Sequence, residues 1–81
     1  MSIEVSHVLQ VVLDAWERTL GIEGIHRDDN FFELGGDSIT AIRMVPLISD
    51  ATGADLGPMA VFDYPTPQGM AEGVVSLLES E

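Results

Sequence analysis

The sequence predicts an all-α protein, a small four-helix bundle of three main helices and one short helix, with residues 1–81 forming a single domain. Three observations predict it. Apolar residues recur at spacings of three and four, no segment alternates in the way a β-strand does, and glycine or proline stands at the segment boundaries. At 81 residues, 46% of them hydrophobic, the chain has room for one thin core.

The first predicted helix covers residues 3–20 and ends at Gly21, a natural stop. Its apolar stripe is Val5, Val8, Leu9, Val12, Trp16 and Leu20. The connection that follows, residues 21–37, is long for so small a domain. We expect it to be fixed to the core, because its apolar side chains are costly to leave in water: Ile22, Ile25, Phe31, Phe32 and Leu34.

The second predicted helix covers residues 38–52, with Asp37 as its N-cap. The double glycine before the cap permits a tight approach of the backbone. Pro46 lies inside this helix and removes one backbone hydrogen bond, which predicts a kink or an early break near Val45.

Two further helices are predicted near the C-terminus. A short one covers residues 59–63, and the last runs from residue 67 to about residue 78. Thr66 is the predicted cap of the last helix, and Pro67 takes its first position, where a missing N–H costs nothing. The apolar stripe of the last helix is Met70, Val74, Leu77 and Leu78.

Charge and composition exclude several functions. With 14 acids, 3 arginines and a formal net charge of −11, the chain would be repelled by nucleic acid and by anionic lipid. The same charge favours a monomer in isolation. The N-terminus lacks the basic start of a signal peptide, so we expect a cytoplasmic protein, and its Met1 start and helical end fit either a free-standing or an excised domain. The absence of cysteine means that any thiol chemistry needs an imported sulfur.

The acidic, glycine-containing stretch at residues 28–37 does not fit the known site patterns. Phe32, Glu33 and Ile39 occupy the positions where a calcium loop needs a ligand, a glycine and a bidentate glutamate. The residues around Ser38 lack the second glycine of a hydrolase nucleophile turn, and two histidines with scattered acids make no zinc pattern. We therefore expect no metal site and no catalysis by the chain itself.

Ser38 is the main candidate residue. A serine at the start of a helix ordinarily caps it, and that role alone would explain Ser38. However, a double glycine and an aspartate present this hydroxyl at a helix N-terminus, where backbone N–H groups and the macrodipole favour an anion. A phosphoryl group attached to Ser38 would suit this position.

Residues 29–39, Asp-Asn-Phe-Phe-Glu-Leu-Gly-Gly-Asp-Ser-Ile, closely resemble the core motif of thiolation domains, the peptidyl carrier proteins of nonribosomal peptide assembly lines. The resemblance continues through Gly53, residues 61–66 and the closing helix, so it covers essentially the whole chain. It implies the acyl-carrier-protein-like fold and a covalent 4′-phosphopantetheine, taken from coenzyme A, on Ser38. It also implies that Asp37 helps a transferase to hold its magnesium.

The resemblance further implies a carrier rather than a catalyst. The thiol of the phosphopantetheine arm would hold an aminoacyl, peptidyl or acyl group as a thioester. The implied partners are a phosphopantetheinyl transferase, an adenylation enzyme or acyltransferase, and condensation, ketosynthase or tailoring enzymes. A polyketide acyl carrier, with or without an amino acid as its cargo, stays open as an alternative, and so does an unmodified acidic module that binds a partner helix.

Two apolar stripes compete for the core side of the second helix. One contains Ala41, Ile42, Val45 and Ile48, and the other contains Thr40, Arg43, Met44 and Leu47. We expect the more aliphatic first stripe to be buried, which leaves Arg43, Met44 and Leu47 outward beside Ile39 as the partner-binding surface. Burial of Met44 and Leu47 against the third helix is the alternative. Residues 38–49 contain no acid, which departs from fatty-acid carriers and favours the peptidyl branch.

Overall fold

The computed structural model of the chain describes residues 4–80 and confirms the all-helical prediction. Its helices are α1 (Val5–Leu20), α2 (Ser38–Thr52), α3 (Ala60–Asp63) and α4 (Pro67–Glu79), and no β-strand occurs between residues 4 and 80. Position 3, the predicted first residue of α1, lies outside the described residues. The other predicted boundaries hold to within one residue.

The core lies where α1 packs against both α2 and α4. Its largest completely buried side chains come from all four helices and from the first connection: Trp16, Phe31, Met44, Ile48, Met70, Val12, Val61 and Val74. The predicted stripe of α1 is confirmed, because Val8, Val12 and Trp16 are buried and its other three residues pack against the core. No helix in residues 4–80 has the length and apolar character needed to cross a membrane.

The connection at residues 21–37 is fixed to the rest of the molecule by backbone hydrogen bonds. The Phe31 N–H donates to the Pro65 carbonyl oxygen (2.8 Å), and the Gln68 N–H donates to the Arg27 carbonyl oxygen (2.9 Å). The Glu17 carboxylate of α1 accepts the Gly24 N–H (2.9 Å). These bonds hold the first part and the middle of the connection against α1 and the segment at the start of α4.

Only part of the apolar content of this connection is buried. Ile25 and Phe31 belong to the core and Leu34 packs against it, as expected. Ile22 and Phe32, at 37% and 36% exposure, remain at the surface, so the prediction was wrong for these two. Phe31 and Phe32 are neighbours in an irregular turn, and only one of two adjacent side chains can point into the core there.

The buried face of α2 differs from the predicted one. Ala41, Val45 and Ile48 are buried as expected, but Met44 is completely buried and Ile42 is 44% exposed. Ala41 and Ile48 are two turns apart and define the centre of the buried face. At about 100° per residue, Met44 lies within roughly 60° of that centre, whereas Ile42 lies beyond 90°. Flexible methionine fills the core here, so aliphatic character was the wrong criterion.

Pro46 does not break α2, which continues to Thr52. The predicted early break is therefore wrong, and a bend at Pro46 stays a prediction. Pro46 and Ile42 both lie on the exposed side of α2. The Ile42 carbonyl, which loses its N–H partner at Pro46, can therefore be hydrated, and this limits the cost of the proline.

The segment before α4 is held by a cap and by a close contact. The Thr66 hydroxyl accepts the Gly69 N–H (3.1 Å), and Pro67 is the first residue of α4, as predicted. Further along α4, Gly73 lies beneath the ring of Tyr64, and a Cβ at Gly73 would be 2.6 Å from Tyr64 Cζ. The missing side chain of Gly73 therefore lets the Tyr64 ring pack directly on the α4 backbone.

This contact predicts a change of sign for one substitution. Gly73→Ala should lower the free energy of unfolding by about 1–3 kcal/mol, because the added methyl overlaps the Tyr64 ring. In a Tyr64→Ala background the overlap is gone, and the helix propensity of alanine should make Gly73→Ala stabilising by up to about 1 kcal/mol. Urea unfolding of the four proteins measures both effects. The same sign in both backgrounds would contradict the contact.

Candidate functional site

The buried ring of Phe31 supports the backbone that leads into the candidate site. The ring is completely buried and meets Trp16 of α1 edge to face, with ring centroids 5.0 Å apart and an interplanar angle of 87°. On its other side lies the backbone of Gly36, whose N–H donates to the Phe31 carbonyl oxygen (3.1 Å). A Cβ at Gly36 would overlap Cε2 and Cδ2 of the ring. The second glycine of the pair is thus required by a close approach.

The turn between Phe31 and Gly36 is organised by Asn30 and Gly35. The Asn30 side-chain oxygen accepts the Phe32 N–H (2.9 Å), and its backbone carbonyl accepts the Leu34 N–H (3.1 Å). Gly35 has φ +101°, in the region that favours glycine. The turn reverses the chain and delivers residues 37 and 38 to the start of α2.

Asp37 caps α2, as predicted. Its Oδ1 accepts both the Thr40 backbone N–H (2.8 Å) and the Thr40 hydroxyl (2.7 Å). Donation by the Thr40 N–H, and then by the Thr40 hydroxyl, lowers the pKa of the Asp37 carboxyl below its ordinary value of 3.8. Asp37 is therefore a carboxylate at neutral pH, oriented by its hydrogen bonds to the first turn of α2.

Ser38 is the first residue of α2, and its side chain is exposed. The capping role that a serine would ordinarily have here belongs to Asp37, so the capping interpretation of Ser38 was wrong. Between residues 4 and 80, no hydrogen bond engages the Ser38 hydroxyl. The site therefore presents a free hydroxyl to solvent, beside a fixed carboxylate and at the positive end of a helix of 15 residues.

The predicted partner-binding residues do not form a single patch. Ile39 (66% exposed), which directly follows Ser38, and Arg43, one turn further along, lie on the outward side of α2. Leu47 is 41% exposed but lines a groove between α2 and Val11 and Ala15 of α1. Met44 is completely buried, so its predicted outward position was wrong.

Sequence reasoning missed the other exposed apolar residues near this face. Ile42 was assigned to the core, and Met59 and Phe62, at 52% and 44% exposure, were not considered. The rings of Phe62 and Phe32 are 5.2 Å apart, so they join α3 to the first connection. The spacing of three between Ile39 and Ile42, and between Met59 and Phe62, is the signal that could have revealed them.

The family model described as "Phosphopantetheine attachment site" matches residues 10–74. The chain belongs to this family. It is a phosphopantetheine carrier domain of the type found in nonribosomal peptide synthetases, and the cofactor of such domains is covalently bound 4′-phosphopantetheine.

Known peptide synthetases contain similar segments. The carrier domain is 41% identical over 68 residues to malformin synthetase mlfA of Aspergillus brasiliensis. This match covers 82% of the chain and 1% of that protein. The domain is 40% identical over 62 residues to a dimodular nonribosomal peptide synthase of Bacillus subtilis, covering 76% of the chain and 3% of that protein. The chain therefore spans only a few per cent of the length of these relatives.

Solved structures with this fold include an ACP domain and a peptidyl carrier domain. The HMG-ACPI domain from the CurA module of Lyngbya majuscula superposes with a TM-score of 0.87 at 26% identity, covering 98% of this chain and 82% of that one. A solution structure of PCP, a prototype for the peptidyl carrier domains of modular peptide synthetases, gives a TM-score of 0.73 at 33% identity. The match covers 83% of this chain and 88% of that one.

The contact between Gly36 and Phe31 predicts that Gly36→Ala is destabilising. The added methyl must displace a completely buried ring, so the free energy of unfolding should fall by about 1–3 kcal/mol. Emission of Trp16, the single tryptophan and a direct neighbour of Phe31, should also shift. Gly57→Ala is the control, because a Cβ there meets nothing within 4 Å. Equal unfolding midpoints in urea for the two variants would contradict this geometry.

The cap predicts a specific pH dependence. The pKa of Asp37 is lower in the folded state than its ordinary value of 3.8. At pH values above 3.8 the ionised carboxylate therefore stabilises the fold, and this contribution is lost as the pH falls through the lower folded pKa. Asp37→Asn keeps a capping side chain but cannot ionise. The stability difference between wild type and Asp37→Asn should therefore be constant near neutral pH and decrease in acid. Urea unfolding between about pH 2.5 and 6 tests this, and a difference that grows in acid would contradict it.

Proposed function

We propose that Ser38 is the attachment site for 4′-phosphopantetheine and that residues 1–81 act as one non-catalytic carrier domain. The observation that carries this proposal is the division of roles at the start of α2. Asp37 satisfies the first turn through Thr40, which leaves the adjacent Ser38 hydroxyl exposed and unengaged. The need for a helix cap does not explain the Ser38 hydroxyl, because Asp37 already caps α2, whereas a modification site does explain it.

The surroundings of Ser38 suit a phosphodiester. The unpaired N–H groups and the dipole at the N-terminus of α2 favour negative charge at this position. The Arg43 guanidinium on the same helix contributes to the low pKa of Asp37, so its positive potential reaches the start of α2. When bound, the group supplies a flexible arm with a terminal thiol, the sulfur that this cysteine-free chain lacks.

Asp37 has a second role in this proposal. Its carboxylate is ionised at neutral pH and is held one residue from the hydroxyl to be modified. Resemblance to thiolation domains assigns this aspartate to the magnesium of the transferase. A carboxylate with a low pKa and a fixed orientation fits that task, because divalent cations bind ionised oxygen ligands.

We further propose that the cargo is an aminoacyl or peptidyl thioester. Carrier segments of peptide synthetases, at 40–41% identity, support this over the polyketide alternative. The partners in this proposal are a phosphopantetheinyl transferase, an adenylation enzyme that loads the thiol, and condensation or tailoring enzymes that consume the thioester. All of the chemistry then occurs in partner enzymes.

Intact-protein mass spectrometry tests the attachment site. Incubation with coenzyme A and a broad-specificity phosphopantetheinyl transferase should add one phosphopantetheine to the wild-type protein and none to Ser38→Ala. Ser76→Ala, which removes an exposed hydroxyl on α4, is the matched control and should be modified at the wild-type rate. An unmodified wild type, or a modified Ser38→Ala, would overturn the proposal. The first of these results would favour an unmodified interaction module.

A further inference from the structure

The two oxygens of the Asp37 carboxylate are used differently. Oδ1 accepts two hydrogen bonds from one residue, the Thr40 backbone N–H (2.8 Å) and the Thr40 hydroxyl (2.7 Å). Neither of these bonds goes to Oδ2, and the side chain of Asp37 is exposed. Thr40 therefore engages one oxygen of the carboxylate and leaves the other available to a group from outside the chain.

The hydroxyl bond of Thr40 is not needed for the helix cap. The backbone N–H of any residue except proline at position 40 could bond Asp37 in the same way. A threonine hydroxyl in a helix often donates to the carbonyl oxygen of the preceding turn instead. Thr52, at the other end of α2, does so: its hydroxyl donates to the Ile48 carbonyl oxygen (2.7 Å). The hydroxyl of Thr40 thus adds a second restraint to a carboxylate that the backbone already holds.

Two donors on one oxygen fix more than its position. Hydrogen bonds to an sp² oxygen are favoured near the plane of its group, so donors from two directions define the plane of the carboxylate. The Thr40 hydroxyl is itself a firm donor, because a β-branched side chain has few χ1 rotamers in a helix. Since Asp37 is exposed, core packing does not supply this restraint. The pair of bonds therefore determines where Oδ2 points.

We infer that the Thr40 hydroxyl is a positioning group for the modification of Ser38, because it holds the Asp37 carboxylate with Oδ2 toward the magnesium ion of the transferase. In that reaction the Ser38 oxygen bonds to the pantetheine phosphorus of coenzyme A and the pyrophosphate bond breaks. Adenosine 3′,5′-bisphosphate leaves, and the Ser38 proton passes to a base of the transferase. Thr40 acts only through Asp37. This inference rests on the proposed function, which supplies the transferase and its magnesium.

The hydroxyl has two opposing effects on metal binding by Asp37. Donation to Oδ1 stabilises the carboxylate charge, and this alone would weaken a bond to a cation. Orientation acts the other way, because a side chain that samples three χ1 rotamers occupies the binding one for only part of the time. The charge effect falls mainly on Oδ1, whereas the ion meets Oδ2. We therefore expect orientation to dominate, so that loss of the hydroxyl raises the requirement for magnesium.

The test removes the hydroxyl and keeps the shape of the side chain. Thr40→Val replaces the hydroxyl with a methyl group and retains the backbone donor, whereas Thr40→Ser keeps the hydroxyl. A broad-specificity phosphopantetheinyl transferase modifies each protein at a fixed concentration of coenzyme A, and initial rates are measured over a range of MgCl2 concentrations. The concentration for half of the maximal rate should rise about three- to tenfold in Thr40→Val. It should stay within twofold of wild type in Thr40→Ser.

Two controls separate positioning from stability and from direct contact with the transferase. Thr52→Val removes the corresponding hydroxyl bond at the far end of α2 and should leave the magnesium requirement unchanged. Asp37→Asn keeps a capping side chain but removes the anionic ligand. In that background Thr40→Val should have no further effect, because the carboxylate that the hydroxyl positions is gone. Circular dichroism should show that all of these variants are folded.

NMR of the protein alone measures the orientation of Asp37. Three-bond couplings between its Hα and Hβ protons should indicate one χ1 rotamer in wild type and in Thr40→Ser, and an average over several in Thr40→Val. One rotamer in Thr40→Val would overturn the inference. An unchanged or lower magnesium requirement in Thr40→Val would do the same, as would an equal effect in the Asp37→Asn background.

These results leave the proposed function distinguishable from the inference. If Thr40→Val behaves as wild type but Ser38 is modified, the inference fails and the attachment site stands. If the wild type is not modified, or if Ser38→Ala is modified, the proposed function fails and the role of Thr40 fails with it.

Discussion

The candidate site depends on the placement of one aromatic ring. Phe31 packs edge to face against Trp16 and carries the backbone of Gly36 on its other side. Burial of a ring of this size stabilises more than any single hydrogen bond in the connection. Without it, the connection would be held by its backbone bonds to Pro65 and Gln68 and by the Glu17 carboxylate, none of which acts at residue 36. The core of the bundle therefore determines where α2 begins and where Ser38 lies.

At the start of α2, Asp37 caps the helix and Ser38 presents a hydroxyl to solvent, although one serine could in principle do both. A serine that caps a helix has its oxygen engaged with backbone N–H groups, which would hinder its reaction. Asp37 takes the cap instead, and the hydrogen bonds that it accepts from Thr40 stabilise its carboxylate charge. Under the proposed modification this matters, because an unpaired Asp37 carboxylate would repel a phosphodiester on Ser38. The helix N-terminus and the Thr40 donors offset that repulsion at both positions.

Most helix boundaries could be predicted from the sequence, whereas the orientation of α2 could not. Boundaries depend on local chemistry: the Asp37 and Thr66 caps need only their own first turns, and Gly21 needs only a positive φ. The rotation of α2 depends on the shape of the whole core, and its two apolar stripes overlap. Met44 completes a helical pattern with Ala41, Val45 and Ile48, but Ile42 and Leu47 are also apolar, so the pattern did not by itself select the buried face. The attachment motif was recognisable because its residues are contiguous in the sequence.

The acids of this chain are distributed unevenly, so the charge along α2 differs from that of the rest of the molecule. All 14 acids lie outside residues 38–49, and Asp37 and Asp50 stand immediately at the two ends of that segment. Screening limits each charge to about 8 Å at physiological ionic strength, so a partner near the middle of α2 meets Arg43 and apolar side chains rather than the net charge. Elsewhere the acids repel other carriers and acidic surfaces. Under the proposed function, the acid-free segment places the least repulsive surface of the carrier beside Ser38.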